Sequence, residues 1–160
     1  MRVNRLALAA ILAASIGATA AQADTSEFLT KAMKGDNSET KLGALAAKQG
    51  QSEKVRNFGA MLEKDHHKGK AQAAAVAAKH KVPVTDAMAD EAMTEYGVLQ
   101  RLHGAAFDHE FGRYMVEDHT KDIADFEKEA GTKDPADVRA LARQTLPVLR
   151  KHLAVAKTIG

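Results

Sequence analysis

Six side chains able to bind a metal lie on, or at the edge of, the apolar faces of long helical stretches: Glu39, Asp65, His66, Asp118, His119 and His152. Imidazole nitrogens and carboxylate oxygens are the ligands that a chain without cysteine can offer a transition metal. A helix turns about 100° per residue, so apolar neighbours fix the direction in which each polar residue points. Val55, Phe58, Leu62, Gly69, Ala73 and Val76 form one stripe that contains His66, with Asp65 at its edge and His67 pointing away. Phe107, Phe111, Met115, Ile123 and Phe126 form another that contains His119, preceded by Asp118. Val138, Leu141, Ala142, Leu149 and Ala156 bring His152 inward, and Phe28, Ala32, Leu42 and Ala46 do the same for Glu39. Each long helix therefore aims one ligand at a common axis.

Counting along the helices gives their heights. His66 and His119 each lie fourteen residues beyond their helix starts at Ser52 and Ala105, which predicts one level for both. At 1.5 Å per residue, Glu39 is expected ~5 Å from that level and His152 ~9 Å from it. On this count His152 is the outlying member unless a kink at Pro147 or helix tilt closes the gap. Two readings then stand side by side. In one, His66 and His119 are primary ligands of zinc, copper, nickel or iron, with Glu39, His152, Asp65 and Asp118 completing or orienting the set. In the other, these groups bond to one another as a buried network that fixes helix register. His67, His80, His103 and His109 have no inward alignment and are expected in solvent. Five dispersed methionines (Met33, Met61, Met88, Met93 and Met115) suit core filling better than a copper site. Hydrolase chemistry has no strand-to-helix nucleophile elbow to support it.

The elements that must carry these residues are helices throughout. Alanine, lysine, glutamate and leucine dominate, and only three prolines interrupt them. The pattern predicts helices over 26–49, 53–80, 87–103, 105–130 and 135–159. A break is expected near Gly35-Asp36-Asn37-Ser38, Ser52 is expected as an N-cap, and Asp134-Pro135 reads as a cap followed by proline at the first helical position. Pro147 predicts a kink, since it has no N–H to give the Arg143 carbonyl. The fold class is all-α: an antiparallel four-helix bundle with a short additional crossover helix. The segment Phe58–Lys68 aligns without gaps on Phe111–Lys121, with Phe, Gly, Asp, His and Lys at the same five places. Two helical hairpins related by duplication would give that pattern.

The chain begins with Arg2 and Arg5, an apolar run from Leu6 to Ile16 and small residues ending in Ala21-Gln22-Ala23. This predicts a signal peptide over residues 1–23, with a rival cut after Ala18-Thr19-Ala20, and one domain over 24–160 in the periplasm or outside the cell. The apolar run is too short to span a bilayer. With no cysteine, stability must come from packing rather than disulfides. Removing Arg2 and Arg5 from the 23 basic residues leaves 21 against 21 acidic ones. A neutral exported domain is not expected to hold nucleic acid.

The chain also resembles the bacterial exported domain-of-unknown-function family four-one-four-two, which is grouped with ferritin-like bundles. The resemblance rests on Phe28, Glu39-x-x-Leu42-Gly43-x-Leu45-Ala46, Ser52-x-x-Val55-x-x-Phe58 and Met61-Leu62-x-x-Asp65-His66. It continues through Leu99-x-x-Leu102-x-Gly104-x-x-Phe107-Asp108, Asp118-His119 and Leu146-Pro147-x-Leu149-x-x-His152-Leu153. It implies a ferritin-like fold and export, and brings no established activity. Ferritin-like di-iron sites use Glu-x-x-His on two helices. Glu63-Lys64-Asp65-His66 meets that spacing, but Val116 stands where the second glutamate would be. A set rich in histidine suits zinc, copper or nickel at least as well as di-iron, and no catalytic residue is assigned. The expectation is a non-enzymatic exported bundle that binds a transition metal in its core. The alternative is an envelope stress or interaction protein, acting with a partner or as a homo-oligomer, whose polar core is structural.

Overall fold

The computed structural model describes the backbone of residues 6–159 and the side chains of residues 24–159. The segment read as a signal peptide therefore lies outside the residues whose side chains are described. Five helices follow one another: α1 (Leu6–Gln49), α2 (Glu53–Lys79), α3 (Asp90–Leu99), α4 (Gly104–Ala130) and α5 (Ala136–Ala156). Among the described residues there is no strand, and no helix is long and apolar enough to cross a membrane.

α1 packs along α2 and α4 along α5, giving two antiparallel hairpins that meet through α2 with α5 and α1 with α4. At one end the Ser52 and Gln51 N–H groups donate to Asp108, and Lys54 donates to the Thr158 carbonyl. At the other end Thr25 donates to Asp134, 3.0 Å away, and His80 pairs with Asp137 at 2.9 Å. Neighbouring long helices are thus antiparallel, and α2 and α4 run parallel across the diagonal. The crossover between the hairpins carries the chain back to the first end, as the counting of heights requires.

Local chemistry explains most boundaries. The Ser52 hydroxyl accepts from the Val55 N–H at 3.2 Å and caps α2 as expected. Gly104 opens α4 at φ +62°, a left-handed conformation that favours glycine. The expected break in α1 does not occur. Asn37 and Ser38 are buried, and their side chains hold the crossover instead of ending the helix. The Asn37 amide donates to the Thr85 and Ala87 carbonyls at 2.9 and 3.0 Å. The Ser38 hydroxyl donates back to the Lys34 carbonyl and accepts from the Ala89 N–H. Those bonds keep residues 85–89 extended, so α3 starts later than expected, at Asp90. Gln49 donates to the Leu99 and Leu102 carbonyls and ends α3 before the expected His103. Asp134 is not the cap of α5 either: Pro135 takes that position with φ −50° and ψ 143°, while the Asp134 carboxylate is drawn inward to Thr25.

Two apolar cores lie at different heights. One contains Phe58, Leu62, Phe107, Phe111 and Met115, all nearly or fully inaccessible. The rings of Phe58 and Phe111, equivalent in the repeated segment, meet edge to face with centroids 6.0 Å apart. The other core is built from Leu29, Met33, Ala73, Ala77, Val138 and Leu141. Close contact of α1 with α2 depends on Gly59, where a Cβ would come 2.5 Å from the Ala47 nitrogen and 2.6 Å from the Gly43 carbonyl. That approach brings the turn of α1 carrying Glu39 against the turn of α2 carrying His66.

Candidate metal centre

A polar layer separates the two cores. His66, His119 and His152 are 5 %, 0 % and 0 % exposed, and their ring centroids are 5.1 to 5.9 Å apart. Each offers a ring nitrogen, and these three atoms lie within 4.8 Å of one another. α2, α4 and α5 supply one ring each, and α1 supplies Glu39, which is 1 % exposed. Its oxygens stand 4.0 Å from His66 Nε2 and 3.9 Å from His119 Nδ1.

The expected 9 Å offset of His152 is overturned. Counting places Cα atoms, whereas helical side chains lean toward the N-terminus of their own helix. α2 and α4 run opposite to α5, so the His66 and His119 rings lean toward one end and the His152 ring leans toward the other. The same argument brings Glu39 of α1 onto the layer.

Each imidazole is held by one nitrogen and bare at the other. His119 Nδ1 donates to the Met115 carbonyl at 3.0 Å, which leaves Nε2 as a lone pair. His66 Nδ1 is 2.9 Å from Asp36 Oδ1, and His152 Nε2 is 3.1 Å from Asp65 Oδ2. His66 Nε2, His119 Nε2, His152 Nδ1 and both Glu39 oxygens are buried with no hydrogen-bond partner in the protein. Burial pushes the histidines down, to about 4 for His66 and His152 and about 3 for His119, where the other two rings add to the effect. At neutral pH they are uncharged, which is the form that binds metal. Burial raises Glu39 well above the usual carboxylate range, helped by Asp118, Asp122 and Asp36 nearby. Burial likewise lifts Asp36 to about 8, against the pull of Lys70.

The six residues singled out by sequence fall into distinct places. His66, His119 and His152 come together, with Glu39 beside them. Asp65 stands behind His152 as its hydrogen-bond partner. Asp118 offers an oxygen within 4.8 Å of Glu39 and His119, beside the glutamate rather than among the three bare nitrogens. Asp36 was missed because it sits in the run read as a helix break. Its signal was Gly69, three residues after His66 on the same stripe, where a Cβ would lie only 2.6 Å from Asp36 Oδ1. His67, His103 and His109 are exposed as expected. His80 instead pairs with Asp137 across the bundle end.

An open groove of about 480 Å³ runs between α1, α4 and α5 and reaches His66 and Asp36. Ala32, Phe126 and Leu149 form part of its walls, and Asp122 and Asp125 line it from α4. Phe28, Ile123 and Phe126, expected in the core stripes, are only half-buried. For Phe28 and Phe126 the reason is that they edge this groove, with rings 5.1 Å apart.

The fold is similar to a solved structure described as "Crystal structure of DUF305 fragment from Deinococcus radiodurans". The TM-score is 0.73 at 17% identity, over 85% of this chain and 94% of that one. No curated protein matches the chain. Residues 12–159 match the family described as "Domain of unknown function (DUF4142)", and the chain belongs to that family.

Proposed function

We propose that this protein binds one transition-metal ion per chain in the bundle core, through His66, His119 and His152 with Glu39 as the fourth ligand. The observation that carries this reading is the set of three buried, uncharged imidazoles that offer ring nitrogens within 4.8 Å of one another, each ring with one nitrogen held and the other unpartnered. A purely structural network would be arranged to satisfy these atoms. Each buried polar atom left unpaired costs about 1–3 kcal/mol, and five of them meet here. A tetrahedral ion with bonds of about 2.0–2.1 Å needs ligands about 3.4 Å apart, and the three imidazole ligand atoms lie within 4.8 Å of one another. Asp36, Asp65 and the Met115 carbonyl orient the rings from behind, the role outer partners play at histidine metal sites.

Three imidazoles and one carboxylate suit zinc, copper(II), nickel or iron(II), with copper(II) expected to bind most tightly. The ligand set closes around the ion, which favours holding it over turning over a substrate. The N-terminal basic, apolar and Ala-x-Ala pattern supports placing this activity outside the cytoplasm. The test is elemental analysis of protein purified without a histidine tag, beside a His66→Ala/His119→Ala double variant. About one ion per wild-type chain and none in the variant is the expected result. Metal-free wild type whose melting temperature ignores added zinc, copper, nickel and iron would leave the structural network as the better account.

A further inference from the structure

The histidine layer is closed on one side and open on the other. Phe58, Phe111 and Met115 cover it toward the first end, each 0–1 % exposed. Toward the other end the groove runs from solvent to Asp36 and His66. Seven acidic side chains and three lysines line it, and burial holds two of the acids, Asp36 and Asp122, above the usual carboxylate range, so a cation that displaces their protons gains a carboxylate oxygen as it advances. Burial, with the neighbouring charges of Asp118, Asp125 and Asp36, raises the Asp122 carboxyl, and Asp118 in turn offers an oxygen within 4.8 Å of one from Glu39. The innermost member, Glu39, has both oxygens unpartnered at 1 % exposure. An acid-lined path that ends on a buried carboxyl, able to give up its proton to a cation, and on an unpartnered imidazole nitrogen matches the chemistry of a divalent cation.

We infer that a hydrated divalent cation reaches the histidines through this groove, exchanging water for Asp122 and then Asp36 before it meets His66. The inference rests on the metal-binding reading and adds a route to it. Asp122 sets how fast the ion enters and leaves, whereas the three histidines, with Asp36 orienting His66, set how tightly it is held. Gly35 on α1 lines the groove beside Asp122. A Cβ there would meet only Asp122 Oδ2, at 3.9 Å, an ordinary contact. A Cβ at 35 is therefore accommodated, and a longer side chain is placed to extend into the groove beside Asp122. Replacing a mid-helix glycine also favours the helix, so the variant is expected to fold.

The test uses Co²⁺ on the whole protein, with its visible absorption as the readout. Loading is followed by stopped flow, stripping is followed with excess EDTA, and final occupancy is measured after equilibration. Gly35→Leu is expected to slow loading and stripping together by tenfold or more while final occupancy and melting temperature hold. Asp122→Asn is expected to slow loading several-fold in an open groove. Wild-type loading rates in both variants, at normal occupancy, would overturn the route and leave the metal centre standing. No Co²⁺ in the wild type at equilibrium, with none displaced by Zn²⁺, would overturn the centre and the route together.

Discussion

The bundle is made differently on the two sides of its histidine layer. On one side, phenylalanine rings from α2 and α4 interlock, and α4 buries Phe107, Phe111 and Met115. On the other, the packed residues are mainly alanine, valine and leucine from α1, α2 and α5. Beyond His119, Glu129 is the next buried residue of α4, and Asp122, Asp125 and Phe126 face the groove instead. Four helices cross both halves, so helix number does not explain the contrast; side-chain volume and charge on a single helix do. The aromatic half supplies a dry, rigid wall against which imidazoles can be held. The half with smaller side chains gives up burial along α4 and gains an opening.

Substitutions on either side should separate these roles. The largest effect is expected from Phe111→Ala, which removes a fully buried ring facing Phe58. A loss of about 3–5 kcal/mol in urea unfolding is expected, against a much smaller loss for Phe126→Ala in the groove wall. Equal losses would show that the two halves are not packed differently. Gly59→Ala comes next, because its methyl must enter backbone 2.5–2.6 Å away on α1. A cost of about 1–3 kcal/mol is expected, and calorimetry should show it, whereas Gly35→Ala should leave the melting temperature unchanged or raised.

Asp36→Asn should keep the fold and weaken metal binding by about 10–100-fold, the usual cost of losing an outer partner of a ligating histidine. Competition with a chelating dye would measure it, and an unchanged affinity would remove Asp36 from the centre. The smallest effect is the pH dependence of the metal-free protein. The histidines, lowered to about 3–4 from 6.5, contribute stability that is present above 6.5 and lost as pH falls toward 4. Asp36, raised to about 8 from 3.8, contributes stability that is present at acid pH and lost as pH rises through 8. Between pH 6.5 and 8 the carboxyl effect is the one that operates, so the melting temperature should fall across that window. A rise there would show that Asp36 is ionised in the folded protein.

Much of this layout was legible in the sequence because helical periodicity is local. The stripes through Phe58 and Phe111 placed His66 and His119 inward and level, and the Ser52 cap is set by residues within one turn. What could not be read depends on the third dimension. His152 was placed too far away because residue counting locates the backbone and ignores the opposite lean of side chains on antiparallel helices. Gly35-Asp36-Asn37-Ser38 looks like a turn by composition, yet the crossover partners of Asn37 and Ser38 lie 48 to 51 residues away. Asp36 was hidden for the same reason, since His66 is 30 residues distant. The groove has no sequence signature, because it results from what α4 fails to bury.

The bonds from Asn37 and Ser38 to the crossover also bear on how many molecules build one centre. Glu39 and His66 come from the first hairpin, and His119 and His152 from the second. A connection as long as residues 80–103 is where two chains can trade halves, each completing the other's bundle. A traded dimer would assemble the same four ligands from two polypeptides, and its capacity would vary with protein concentration. By fastening residues 85–89 to its own α1, each chain holds the start of the connection against its own first hairpin, which works against such an exchange of halves.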